Sequence, residues 1–222
     1  MFGPVMEHHL RAREVGHAFG LRPVFEGVTL ECRSGQIWGI LGPNGSGKST
    51  LLRILGGLLE PTWGEVRYIR GERAFSGSAI LPWIGLVAPY ANLYEEFSAY
   101  ENLYWVLALR GQRPEPDRLA AVLERVGLAR TWWQEPLRTY SSGMKQRVRL
   151  AAALVTEPSL LLLDEPTSNL DEAGVRQVRQ ILEEEASGGH IVLLATNIPE
   201  EASWCSHRLD LRAHRPRKRA VY

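Results

Sequence analysis

Gly42-Pro43-Asn44-Gly45-Ser46-Gly47-Lys48-Ser49-Thr50 decides the fold, because of what stands on either side of it. Before it runs Ile37-Trp38-Gly39-Ile40-Leu41, short, apolar and flanked by glycine, which predicts a buried strand. After it, Leu51, Leu52, Ile54, Leu55, Leu58 and Leu59 recur at helical spacing, predicting a helix from Ser49 to Leu59 that stops before Pro61. Strand, glycine-rich loop and helix are the setting in which a Gly-x-x-x-x-Gly-Lys-Ser pattern cradles phosphate. The glycines let backbone N–H groups and a helix N-terminus converge on phosphate oxygens. Lys48 is placed to reach the β and γ phosphates and the Ser49 hydroxyl to ligate magnesium. A glycine turn carrying a solvated lysine is the competing reading, and the flanking elements argue against it.

Further along, Leu160-Leu161-Leu162-Leu163-Asp164-Glu165-Pro166 delivers two adjacent carboxylates at the end of an apolar strand, where ligands sit in open α/β sheets. In phosphate-loop ATPases the first carboxylate belongs to the magnesium shell and the second can orient the attacking water. Successive strand residues point to opposite faces, so both can serve one ligand only if the strand ends at Asp164. Around these motifs the pattern alternates: a strand at 24–31, short antiparallel strands within 64–90, and helical spacing from Ala99 to Leu128 broken at 111–116. A helix at 143–156, the strand at 160–163, a helix at 172–186 and a strand at 191–195 follow. Strands alternating with helices imply a parallel sheet covered on both faces, with the helical stretch as an insertion.

Tyr140-Ser141-Ser142-Gly143-Met144-Lys145-Gln146-Arg147 opens one of those helices, with Ser141 as a natural N-cap 23 positions before Asp164. Here the chain resembles the ATP-binding-cassette (ABC) ATPases, whose signature usually reads Leu-Ser-Gly-Gly-Gln and stands about this far before the acidic pair. Ser141 and Gly143 match that wording; Tyr140, Ser142 and Met144 depart from it. The resemblance runs from about Leu10 to Leu211 and implies a P-loop NTPase fold. In that α/β fold a RecA-like core and an antiparallel β subdomain occupy about 1–92 and 140–222, and a helical subdomain about 93–139.

The resemblance also implies an ATPase with ATP and Mg2+ as cofactors. Nucleotide contacts fall on Gly42, Pro43, Asn44, Gly45, Ser46, Gly47, Lys48, Ser49 and Thr50, with Ser141, Ser142, Gly143 and Asp171 contributing from a second copy. The metal ligands are Ser49 and Asp164, and Glu165, Lys48 and Asn197 are the catalytic set. Phe19 falls where the family stacks an aromatic on adenine, although a lone phenylalanine before a strand is equally at home in a core. Ser168-Asn169-Leu170-Asp171 matches a loop that touches the opposite subunit, and it reads as well as a helix cap. Two positions depart from the family. Pro89 stands where a magnesium-contacting glutamine is usual, beside Tyr90, and proline cannot ligate through its side chain. Asn197 replaces the switch histidine, so an amide that donates a hydrogen bond but exchanges no proton occupies that place.

The implied partners are a second ATP-binding subunit, as a homodimer, and a multi-span membrane permease. The permease contributes a short helix to the groove near 90–101. The wording around 88–94 looks most like exporter ATPases, including the haem-exporter type of cytochrome c maturation. A soluble ABC-fold switch in translation or DNA repair, or a weakly hydrolysing ATP-binding module, is the alternative.

Composition fits this reading. The 222 residues are 45% hydrophobic and 23% charged, with 26 basic against 25 acidic residues, which excludes a disordered tail or a nucleic-acid module working through bulk charge. No run approaches the roughly 20 apolar residues of a spanning helix, and residues 1–9 do not read as a secretory signal. The expected location is cytoplasmic, held on the inner face of the membrane through the partner. Cys32 and Cys205 are expected to be packing residues and His8-His9 a solvated pair. Trp132-Trp133 reads as an exposed patch or a satellite core, and Arg215 to Arg219 as a solvated tail or a basic patch for anionic lipid. Only Lys48, Lys145 and Lys218 write positive charge as lysine, so each raises the question of why arginine would not serve.

Overall fold

The computed structural model describes residues 7–216. Two sheets make up its β structure. The first is antiparallel in the order β2-β1-β4-β5, from β1 (His8–Phe19), β2 (Arg22–Arg33), β4 (Trp63–Arg70) and β5 (Arg73–Phe75). The second is parallel in the order β6-β7-β8-β3-β9, from β3 (Ile37–Leu41), β6 (Ile84–Val87), β7 (Leu160–Asp164), β8 (Ile191–Thr196) and β9 (His207–Asp210).

The parallel sheet separates two hydrophobic cores, and the two-residue period of a strand assigns its side chains to them. Leu161, Leu163, Val192 and Leu194 face one core, built with α2 (Ala99–Leu109), α3 (Pro116–Arg125), α4 (Ser142–Leu154) and α5 (Glu172–Ser187). Leu160, Leu162, Ile191 and Leu193 face the other, built with α1 (Lys48–Leu55) and the antiparallel sheet. Every residue of β7 and β8 is buried, which is why both read as unbroken apolar runs rather than as an alternation. The expected α/β architecture, with an antiparallel β edge and a helical insertion, is the one observed.

Several expectations are corrected. Helix α1 ends at Leu55, not Leu59: Gly57 adopts φ 70, its N–H bonds to the Ile54 carbonyl, and the Leu58 N–H bonds to that of Arg53. This left-handed cap reverses the chain, and a Cβ on Gly57 would lie 2.0 Å from the Gly77 carbonyl oxygen. The segment 64–90 is not wholly antiparallel. Only β4 and β5 are; Gly77–Trp83 forms a 3-10 turn, and β6 joins the parallel sheet beside β7. There Gly85 lets the backbone of α4 approach, for a Cβ would sit 2.4 Å from the Ala153 carbonyl.

His8 and His9 are not a solvated pair. They open the long strand β1, which hydrophobic patterning does not single out. The His8 ring is buried, with Nδ1 3.0 Å from the Tyr68 hydroxyl, itself 2.6 Å from the Ser159 hydroxyl. Burial first, then Arg70, His190 and His9, lower its pKa, so His8 is neutral at pH 7. His9 lies 3.1 Å from Glu7 and 3.7 Å from Glu31.

Both cysteines are buried free thiols in the cores, as expected. The tryptophan pair divides between its two readings. Trp133 packs on the core and donates from Nε1 to the Leu128 carbonyl at 2.9 Å, while Trp132 remains partly exposed, edge-on to Tyr140. The buried Tyr140 hydroxyl donates to the Trp132 carbonyl. Of the basic tail, Arg217, Lys218 and Arg219 lie outside the described residues.

Candidate functional site

Three strands deliver chemistry to one edge of the parallel sheet. β3 runs into the glycine loop, β7 ends on the acidic pair, and β8 ends one residue before Asn197. The register places Leu41 against Thr196 and Asp164 against Ala195, so the three C-terminal ends are side by side. This is the place where an open parallel sheet receives ligands.

The loop is shaped by tight approaches. Gly47 has φ 98, and a Cβ there would lie 2.6 Å from Val24 Cγ1 and 2.9 Å from Phe25 Cδ1, so only glycine fits. It caps α1 without a side chain, which leaves the helix's first N–H groups for a ligand. Lys48 is buried, and its Nζ donates to the Gly42 carbonyl at 2.9 Å and the Pro43 carbonyl at 3.2 Å. Pro43 also accepts the Ser46 N–H at 3.1 Å, closing the loop. Phe19, Val24, Asn44, Gly45, Gly47, Lys48, Ser49, Thr50 and Glu165 line a cleft of about 400 Å³. Phe19 is 55% exposed, its ring roughly perpendicular to that of His17, which removes the reading as a core residue.

The acidic pair behaves as the strand argument requires. β7 ends at Asp164, and Glu165 takes the left-handed conformation, φ 49, which is costly for a residue with a side chain. That turn is held by the Glu165 N–H donating to the Ala195 carbonyl at 3.0 Å and by the Ser168 hydroxyl donating to the Glu165 carbonyl at 2.9 Å. Burial pushes the Asp164 carboxyl above its ordinary pKa. The hydrogen bond from Ser49 draws it back, Glu165 adds to the rise and Lys48 opposes it.

These residues fit a magnesium nucleotide. The Ser46 hydroxyl is buried with no partner among the described residues, an orphan donor beside the loop that a phosphate oxygen would satisfy. The Ser49 hydroxyl beside the Asp164 carboxylate is a hard oxygen pair. Magnesium characteristically takes one or two such protein ligands, and phosphates and water complete the shell. Among the described residues no group of three or more His, Cys, Asp or Glu gathers as an all-protein metal site.

At the two departures the geometry is informative. Asn197 Nδ2 donates to Asn44 Oδ1 at 2.8 Å, which fastens the end of β8 to the phosphate loop. Next to Pro89, the Tyr90 ring lies 5.5 Å from the Arg53 guanidinium, and burial and the nearby Asp164 push its hydroxyl up to about 12. Tyr90 is thus close to the acidic pair.

The remaining candidates form a separate cluster. Ser141 Oγ accepts the Met144 N–H at 3.2 Å, and Ser141 and Ser142 are exposed at the start of α4. Gly143 lies against the Asn169 carbonyl, and Asp171 Oδ1 caps α5 by accepting the Gly174 N–H at 2.8 Å. Arg147 links this cluster to the helical arm: it lies 3.6 Å from Asp171 and donates to the Val126 carbonyl at 2.7 Å. The cleft lined by Lys48 does not include Ser141, Ser142, Gly143 or Asp171.

Two residues near Glu165 escaped the sequence reading, Thr167 and Glu201, which hydrogen-bond each other in the interior. Glu200-Glu201 opens a short helix as an ordinary acidic pair, and nothing in its local pattern tells which of the two is buried.

The ABC transporter family model matches residues 25–168. Among curated proteins, the chain is 37% identical over 87% of its length to the daunorubicin resistance ATP-binding protein DrrA3 of Streptomyces coeruleorubidus, of which it spans only 61%. It is 34% identical over 87% of its length to a cytochrome c biogenesis ATP-binding export protein of Cupriavidus metallidurans, covering 92% of that protein. Among solved structures, a dimeric ATP-binding cassette in a post-hydrolysis state with ADP and Pi superposes with a TM-score of 0.80 at 26% identity. That likeness covers 90% of this chain and 93% of the other. With the phosphate loop, the acidic pair and the sheet topology all in place, the chain belongs to the ABC transporter family, as an ATPase subunit.

Proposed function

We propose that the chain powers an exporter through a separate membrane-spanning partner, hydrolysing Mg-ATP at the interface of two copies of itself. In this reading the described residues up to about 92 and from about 140 make the nucleotide-binding core with its β subdomain, and about 93–139 make the helical subdomain that meets the partner. The observation that carries the partner is an exposed aromatic face on and beside α2, comprising Tyr94, Tyr104, Trp105 and Leu109, the last 79% exposed. An apolar face of this kind marks an interaction surface more often than bare solvent exposure. Buried Asn102 holds its N-terminal side in shape, accepting the Tyr94 N–H at 2.9 Å and donating to the Tyr94 carbonyl at 3.0 Å. Among the described residues no helix is long and apolar enough to cross a membrane. Export as the direction rests on the named relatives, one an export protein and one a resistance protein.

Fractionation tests this. In cells that express the native partner, the wild-type chain should sediment with membranes, and the double variant Tyr94→Glu/Trp105→Glu should move to the supernatant with its ATP affinity unchanged. Equal recovery of both in the membrane pellet would remove this face as the docking surface.

The dimer reading rests on the separation of the two clusters. Ser141 to Gly143 offer a helix N-terminus, an anion-favouring end, away from the cleft that holds Lys48. A second copy would bring its α4 N-terminus to the γ-phosphate, and each half-site would thereby be completed. With ATP and magnesium present, light scattering should give a dimer mass for the wild type and a monomer mass for Ser141→Arg. Nucleotide affinity per chain should stay unchanged; dimerisation of the variant at wild-type levels would count against the arrangement.

In this scheme Glu165 orients the attacking water, Lys48 and the loop amides hold the phosphates, Ser49 and Asp164 hold magnesium, and Phe19 stacks on adenine. Asn197 supports the phosphate loop through Asn44 and exchanges no proton. The Pro89 side chain offers magnesium no ligand.

A further inference from the structure

Glu201 is 1% exposed, on the short helix α6 (Pro199–Ser203), and among the described residues no cation figures in what acts on its carboxyl. Its Oε1 accepts a hydrogen bond from the Thr167 hydroxyl, the Thr196 hydroxyl and the Thr167 N–H also face the carboxyl, and Oε2 has no partner among the described residues. The charge that acts on it is that of Glu165, of like sign. Burial foremost, together with that repulsion, raises its pKa, and the hydrogen bonds from Thr167 and Thr196 oppose the rise.

Burying an acid without a counter-ion is costly, and the positions of its partners give the cost a purpose. Thr167 follows Glu165 by two residues, in the turn closed by the Ser168 bonds to the Glu165 carbonyl. Thr196 immediately precedes Asn197, and its hydroxyl accepts the Ile198 N–H at 2.9 Å. One carboxyl thus lies between the turn that carries the water-orienting acid and the turn that carries the residue fastened to Asn44.

We propose that Glu201 is a positioning residue for ATP hydrolysis: lying between Thr167 and Thr196, it sets the spacing between Glu165 and Asn197. The proposal rests on the assignment of Glu165 as the residue that orients water. It predicts an effect on chemistry rather than on binding, because neither threonine is among the residues that line the cleft around Lys48 and Ser49. Displacing a catalytic group by about 1 Å costs up to about a hundredfold in rate.

Steady-state turnover and the Kd of a fluorescent ATP analogue, measured on the full chain, test it. Glu201→Ala should lower kcat about tenfold or more with Kd within about twofold, the signature of an interaction expressed in the transition state. Glu201→Gln, a neutral group that still accepts from Thr167, should recover most of that loss. Thr167→Val removes one hydroxyl at nearly constant volume and should reproduce the fall in kcat, which keeps the test valid if Glu201→Ala does not fold. Unchanged kcat in Thr167→Val, a glutamine no better than alanine, or a loss confined to Kd would each overturn the proposal. Glu165→Gln run alongside separates the two claims. Full turnover there removes the reading on which this one rests, whereas an inactive Glu165→Gln beside unaffected Glu201 and Thr167 variants overturns Glu201 alone.

Discussion

Glu165→Gln should lower phosphate release about 10²- to 10⁴-fold while leaving ATP binding intact, the range attributed to a positioned general base. The amide keeps the size of the side chain and can hold the left-handed turn, whose bonds are backbone ones: Glu165 N–H to the Ala195 carbonyl and the Ser168 hydroxyl to the Glu165 carbonyl. What it loses is the anionic oxygen that polarises water. Phosphate-release kinetics with a binding titration in parallel would separate these terms, and undiminished turnover would remove Glu165 from the mechanism. The loss should be one of kcat rather than KM, since Glu165 lines the cleft beside Lys48 and Ser49 without being part of the loop that holds the phosphates.

Lys48→Ala should weaken ATP by about 10- to 100-fold, matching the roughly 1.5–3 kcal/mol of a hydrogen bond to a charged group. It should also cut kcat by about 10²- to 10³-fold, as expected when a donor to developing charge is removed. Isothermal titration gives the first effect and single-turnover hydrolysis the second. Lys48→Arg is expected to fail as well, and this answers the question raised by the scarcity of lysine. Nζ lies inside a ring formed by the Gly42 and Pro43 carbonyls, at 2.9 and 3.2 Å, in a position with almost no exposure. A compact ammonium on a flexible stem fits that ring, and a planar guanidinium does not. Wild-type turnover in Lys48→Arg would refute this steric account.

The elements most legible in the sequence were those whose burial is dictated by their own composition. β3, β7 and β8 are apolar up to the polar residues that end β7 and β8, because parallel strands are covered on both faces, and this lets four or five residues identify a strand without any tertiary information. The end of β7 at Asp164 followed from the two-residue period together with the demand that both carboxylates serve one ligand. Elements at the other extreme left little trace. β1 is edged with arginine, glutamate and histidine, and its alternation is broken by register shifts between Ala12 and Ala18, so periodicity does not isolate it. β6 carries no mark of its parallel pairing with β7, because partner choice is not encoded in four residues. Gly85 accommodates the approach of the Ala153 carbonyl, a fact that exists only once α4 is in place.

By itself the sequence determined the phosphate loop, the acidic pair and hence the family, since each depends on residue type at short spacing. Tertiary structure alone decided what depends on distant segments meeting. It buried Glu201 between Thr167 and Thr196, joined Asn197 to Asn44 across 153 positions, and made His8 a neutral core residue rather than a solvated one. The physical reason is desolvation, which is set by everything packed around a group. A histidine or a glutamate reads the same in any sequence window, and only the fold says whether water reaches it.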